Sequence, residues 1–287
     1  MATYRIITDS CSDLPKDLVA SLDIDVVQMT LLFRGEEVVD PTEAQIKTMY
    51  NALRQGESAS TAAVNPQGWR DAVEPVLKNG QDALVLAFSS GLSTTYQSAV
   101  IAAEELMEEY PGRTVKVVDT LAASLGEGLF VYYACKKRSE GLSLEALYTW
   151  CEENKLRISH WFTVDDLMFL KRGGRISAAT AMVGTMLNIK PIIHVNDEGK
   201  LINVGKVRGR KAAIEHIAAK VGELGEGFNN DTCFVVHGDC EADANILADT
   251  IKAKYGVKNV HIGYLGPVIG AHTGPGVLVV CFLGEHR

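Results

Sequence analysis

The chain has 287 residues, 47% hydrophobic and 22% charged, too apolar for a disordered protein and long enough for one large α/β domain or, as favoured here, two lobes. A net charge of −8 argues against generic nucleic-acid binding. The opening MATYRIITDS lacks the basic-then-apolar order of a secretory leader, so the expected setting is the cytoplasm, with six scattered cysteines kept reduced.

From the N-terminus the pattern alternates strand and helix, the mark of a parallel sheet covered by helices. Arg5 to Thr8 reads as a strand, residues 9–13 as capping chemistry, and Pro15 as the first turn of a helix running to about Leu22. Val26 to Leu32 reads as a second strand. Asn65-Pro66 starts a helix that Gly80 closes, and Ala83 to Phe88 is a buried strand. Tyr96, Val100, Ala103, Met107 and Tyr110 recur at helical spacing up to Pro111-Gly112. Val115 to Val118 follows as a strand, then helices over 121–138 and 144–153.

Beyond residue 157 the rhythm changes. Ile158 to Val164, Lys190 to Val195 and Leu201 to Val207 read as strands, the last two joined by the turn Asn196-Asp197-Glu198-Gly199 into a hairpin. Helices are expected over 178–187, 210–224 and 242–255, and strands over 233–236, 260–263 and 277–282. The predicted architecture is therefore two α/β lobes, 1–157 with a parallel sheet and helices on both faces, and 158–287 with a mixed or antiparallel sheet.

Four stretches could carry chemistry. Residues 90–95, Ser-Gly-Leu-Ser-Thr-Thr, lie between a buried strand and a helix start, where free N–H groups and hydroxyls suit an anion; the plainer reading makes Ser93 or Thr94 an N-cap. Residues 60–66 form a second hydroxyl-bearing loop, equally readable as turn chemistry. Residues 263–276 hold five glycines in their first and last portions around His272, either a ligand donor or a hydrogen-bonded loop histidine, and match neither a P-loop nor a dinucleotide fingerprint. Finally, Lys171-Arg172-Gly173-Gly174-Arg175 opens a basic segment, residues 171–211, whose nine Lys or Arg against Asp197 and Glu198 give a local +7 and leave −15 elsewhere. Such a segment is either a grip for a specific anionic partner or a solvated basic turn. Cys233, His237 and Cys240 fit no zinc spacing.

Together the stretches Ile7 to Ser10 with Asp13-Leu14-Pro15, Ser89 to Ser93 with Thr95 to Ala99, Val118-Asp119-Thr120, Leu170 to Ser177, Leu187 to Pro191, Gly199-Lys200-Leu201, Lys206-Val207-Arg208 and Gly266 to Gly276 resemble the DegV family of bacterial fatty-acid-binding proteins over the whole chain. The resemblance implies two lobes enclosing one long-chain fatty acid, without a cofactor or metal, and without catalysis by the chain itself. A separate fatty acid kinase would phosphorylate the bound acid for phospholipid synthesis. Carried over, Thr61, Ser93, Thr94, His272 and Thr273 would meet the carboxylate, with Arg172 near the headgroup. Arg175, Arg208 and Arg210 would face the kinase, with transient contact to a membrane surface. Two departures from the family pattern stand out: Thr94 replaces a glycine and Ala62 a serine.

Two other function classes compete with a carrier. A lipid or ester hydrolase could use Ser93 and His272, although residues 91–95 lack the second glycine of a nucleophile elbow. A nucleic-acid binder would use residues 171–211, but no aromatic residues interleave with the basic ones.

Overall fold

The computed structural model describes residues 4–177, 188–225 and 232–287. The helix expected over 178–187 lies outside the described residues.

In the N-terminal lobe, β1 (Tyr4–Asp9) leads through a single 3₁₀ turn into α1 (Lys16–Leu22) and β2 (Asp25–Val27). Next come β3 (Thr30–Phe33), β4 (Glu36–Val38), α2 (Glu43–Arg54), β5 (Ala59–Ala62), α3 (Pro66–Lys78), β6 (Asp82–Ala87), α4 (Thr95–Glu109), β7 (Val115–Asp119), α5 (Leu125–Ser139) and α6 (Leu144–Asn154). The main sheet is parallel, in the order β2-β1-β6-β7. Because side chains alternate across a strand, β6 sends Leu84 and Leu86 to one core and Ala83, Val85 and Ala87 to another. The first core includes α5 and α6; the second is closed by Trp69 and Val73 of α3 and by Ala102 and Leu106 of α4. Helices therefore cover both faces, as expected.

The second lobe contains β8 (Ile158–Thr163), α7 (Met168–Arg172), β9 (Ile189–Val195), β10 (Leu201–Arg208), α8 (Arg210–Leu224), β11 (Thr232–His237), α9 (Glu241–Tyr255), β12 (Asn259–Tyr264), α10 (Pro267–Thr273) and β13 (Leu278–Leu283). Its six-stranded sheet runs β10-β9-β8-β13-β11-β12 and is mixed: β11 and β12 are parallel, and the other neighbours antiparallel. Ile214 and Ile217 of α8 and Leu247 and Ile251 of α9 cover one face. The other face meets α5, whose residues Leu125 to Val131 are all buried because a sheet lies on each side. Gly126 makes this approach feasible, since a Cβ there would fall 1.8 Å from His160 Nε2.

Three expectations need correction. The single strand over 26–32 is two: β2 joins the parallel sheet, and β3 enters a separate antiparallel sheet, β4-β3-β5. Residues 33–59, left without elements by the sequence reading, hold β4 and α2. The helix start was legible there, because Thr42 Oγ1 accepts from the Gln45 N–H while the Gln45 side chain accepts from the Thr42 N–H. The glycine-rich stretch is no open loop, since α10 occupies half of it behind Pro267.

Candidate functional site

A cavity of about 570 Å³ is lined by residues from both halves of the chain, within the size range of small-molecule sites. Phe88 and Leu92 come to it from beyond the end of β6, Phe162 from β8, Val279 from β13, Leu265 from the approach to α10 and Val268 from α10 itself. Buried Phe162, Leu265, Val277 and Val279 mark its closed part, whereas exposed Thr94 and Gln97 and half-buried Thr61 and Ser93 mark the open end. The apolar lining lies mostly in the closed part, where buried Ser124, His160 and Thr273 are the polar members.

At that mouth β5 and α10 meet. Thr61 Oγ1 lies 2.8 Å from His272 Nε2. Burial, helped by the nearby Arg175 charge, pushes the His272 pKa down to about 4, so the imidazole is neutral and carries one N–H. Gly173 closes on its other edge, where a Cβ would fall 2.4 Å from Nδ1. Thr273 lines the same cavity, its hydroxyl donating to Ile269 O at 3.1 Å.

The loop before α4 brings hydroxyls to the cavity, and five of its N–H groups are bonded within the protein. Ser90 N–H goes to Asp119 Oδ1, Gly91 N–H to Ser89 Oγ, and those of Leu92 and Ser93 to Ser89 O. Thr95 N–H goes to Ser93 Oγ, which also lies 2.8 Å from Thr95 Oγ1. The N–H groups of Ser90, Gly91, Leu92, Ser93 and Thr95 are therefore already taken by Ser89, Ser93 and Asp119. Thr94 stands at the N-cap position but its side chain makes no capping bond, and it faces the cavity instead.

In the basic turn Arg175, and not Arg172, lines the cavity. Arg172 is exposed and lies over the Phe169 ring, 4.5 Å from its centroid, outside the cavity. Arg175, expected on the partner face, lines the cavity, with Nε and Nη2 donating to Leu92 O at 3.2 and 3.0 Å and Nη1 to Gly173 O. Gly174, at φ +73°, turns the chain between them. Arg210 is likewise engaged within the chain: Nε is 2.8 Å from Asp243 Oδ2, and Nη1 3.8 Å from Asp165. Arg208, at the end of edge strand β10, is exposed.

Buried carboxylates lie nearby, of which the sequence marks Asp9 and Asp13 only as capping chemistry. Asp9 accepts from Cys11 N–H at 3.0 Å and Phe88 N–H at 2.8 Å, tying the ends of β1 and β6; burial pushes its pKa up to about 6. Asp13 accepts from Ser124 Oγ at 2.6 Å, and burial raises its pKa to about 7. Glu127 is fully buried, which drives its pKa well up. Thr8 Oγ1 lies 2.8 Å from Leu86 O and 3.0 Å from Glu127 Oε1.

The DegV family model, a family described as uncharacterised, matches residues 3–285. The chain belongs to the DegV family. A DegV domain-containing protein of Clostridium perfringens is 45% identical over 100% of this chain and 99% of its own length. Among solved structures, one described as fatty acid binding of a DegV family protein, from Thermus thermophilus, superposes with TM-score 0.88 at 34% identity, covering 98% of this chain and 99% of that one. A Thermotoga maritima protein described as revealing fatty acid binding function superposes with TM-score 0.84 at 28% identity, covering 99% of this DegV chain and 100% of its own. No helix among the described residues is long and apolar enough to cross a membrane.

Proposed function

We propose that this DegV chain is a carrier that holds one long-chain fatty acid, acyl chain along the apolar wall and carboxylate at the mouth, and presents it in the cytoplasm to a separate fatty acid kinase. The observation that carries the reading is the Thr61–His272 pair at the open end of a cavity whose remaining wall includes Phe88, Phe162, Leu265, Val277 and Val279. The fatty-acid binding described for the Thermus and Thermotoga relatives supports it. Burying about fifteen methylenes at ~0.8 kcal/mol each gives on the order of 12 kcal/mol before entropic costs, so the tail supplies most of the affinity.

The head then needs only hydrogen-bond satisfaction. With its hydrogen on Nε2, His272 donates to Thr61 Oγ1 and leaves the threonine hydroxyl free to donate to a carboxylate oxygen. Ser93, accepting from Thr95, can donate to the carboxylate in the same way. Arg175 contributes positive potential while its N–H groups stay on backbone carbonyls, so the carboxylate is not locked into a bidentate pair. One carboxylate oxygen thus remains available to attack the γ-phosphorus of a nucleotide brought by the kinase, the bond to the β–γ bridging oxygen breaking as the nucleoside diphosphate leaves. Exposed Arg208 belongs to the face offered to that partner.

Ser93 and His272 do not form a hydrolytic pair here, because His272 Nε2 is bonded to Thr61 and Ser93 Oγ to Thr95. Displacement of a bound fluorescent fatty acid by palmitate or oleate tests the carrier reading, and turnover of an acyl ester abolished by Ser93→Ala would replace it with the hydrolase.

A further inference from the structure

Residues 30–62, comprising β3, β4, α2 and β5, are inserted between β2 and α3 of the N-terminal lobe, yet their apolar side does not complete that lobe's sheet. Leu31, Met49, Tyr50 and Leu53 close instead on Ala271 of α10, with Phe169 and Tyr264 at the margin. Polar ties reinforce this crossing. Buried Tyr50 donates through its hydroxyl to Leu265 O at 3.2 Å, and Gly270 admits it, since a Cβ there would fall 2.4 Å from that oxygen. Arg54 donates to both the carboxylate and the carbonyl of Asp239, and Tyr264 holds the other carboxylate oxygen at 2.7 Å. Neither Tyr50 nor Arg54 lines the cavity.

We infer that residues 30–62 are a strap fastened across the cavity mouth, and that Tyr50 and Arg54 are positioning residues that hold Thr61 against His272 and so set how fast the ligand exchanges. The inference rests on the fatty-acid reading above. Thr61 rides on the strap and His272 on α10, so their hydrogen bond parts when the strap lifts from α10. The Arg54–Asp239 clamp and the Tyr50 bond resist that motion from outside the binding surface. An ion pair whose arginine also donates to a backbone carbonyl, and whose carboxylate accepts from a second donor, is stronger than an isolated surface ion pair.

The test is stopped-flow release of a pre-bound fluorescent fatty acid from the full chain. Arg54→Ala and Tyr50→Phe are expected to speed release roughly three- to tenfold, with Arg54→Lys intermediate and the order of preference among acyl lengths unchanged. Arg70→Ala is the control, because it removes ion pairs to Glu105 and Glu109 between α3 and α4, away from the mouth; it should lower thermal stability and leave release unchanged. Equal acceleration by Arg70→Ala, or wild-type release rates in both strap variants, would overturn the inference while the carrier reading stands. A wild-type chain that takes up no fatty acid removes the carrier reading and the strap's role with it.

Discussion

Thr61 and His272 are separated by 211 residues, yet their side chains meet at 2.8 Å across the seam between the lobes. Replacing Thr61 with Val keeps the shape and deletes the hydroxyl. His272 then loses its partner and the ligand loses a donor, which should weaken fatty-acid binding by about 1–3 kcal/mol. Competition binding measures this directly, and unchanged affinity would remove Thr61 from the site.

Ser93→Ala should weaken binding by a similar or smaller amount, about 0.5–1.5 kcal/mol for a hydrogen bond to a partly solvated group. The variant also deprives the Thr95 N–H and hydroxyl of a partner, so its melting temperature should fall as well. Isothermal titration alongside thermal denaturation separates the two effects.

The two arginines of the basic turn should behave unlike each other. Arg175→Ala removes the bonds to Leu92 O and Gly173 O that dock the turn beside the Ser93 loop, and it should cost about 1–3 kcal/mol in stability. Arg172→Ala, on the surface, should stay within about 0.5 kcal/mol. Chemical denaturation of both variants decides the ranking.

The pH response has opposing parts. Asp9 and Asp13 have folded pKa values raised to about 6 and about 7 from 3.8, so the native state holds their protons more tightly and stability drains away as pH rises through about 4 to 7. His272, lowered to about 4 from 6.5, acts oppositely: the unfolded chain gains a proton first, and stability is lost as pH falls from 6.5 towards 4. Relative to wild type, Asp13→Asn should therefore gain stability as pH rises across 4 to 7, and His272→Gln as pH falls across 6.5 to 4. Melting temperatures over a pH series report both slopes, and parallel curves would contradict the assignment.

Much of the fold was legible because its strands are continuous apolar runs bounded by caps such as Asn65-Pro66 and stops such as Gly80 and Pro111-Gly112. What escaped had physical reasons. Val26 to Leu32 is a largely β-prone stretch in which Gln28 and Thr30 alternate with apolar residues as they can within one strand, so the break at residues 28–29 between two sheets carries no turn signal. Thr61, Ser93 and His272 were placed through family resemblance, since no local pattern announces a contact across 211 residues. The directions of Arg172 and Arg175 depend on α7 ending at Gly173 and on the left-handed Gly174, a turn invisible in the spacing of charges. The occupied N–H groups of residues 90–93 follow from Ser89 and Asp119 folding back on that loop, which strand and helix signals do not report.

The central claim is that this cavity holds a fatty acid, and native mass spectrometry of freshly purified protein, paired with analysis of its organic extract, tests it most directly. The account predicts one long-chain fatty acid per chain, lost on denaturation and recovered in the extract, or taken up when palmitate or oleate is added. A bare native mass that neither acid shifts would contradict it.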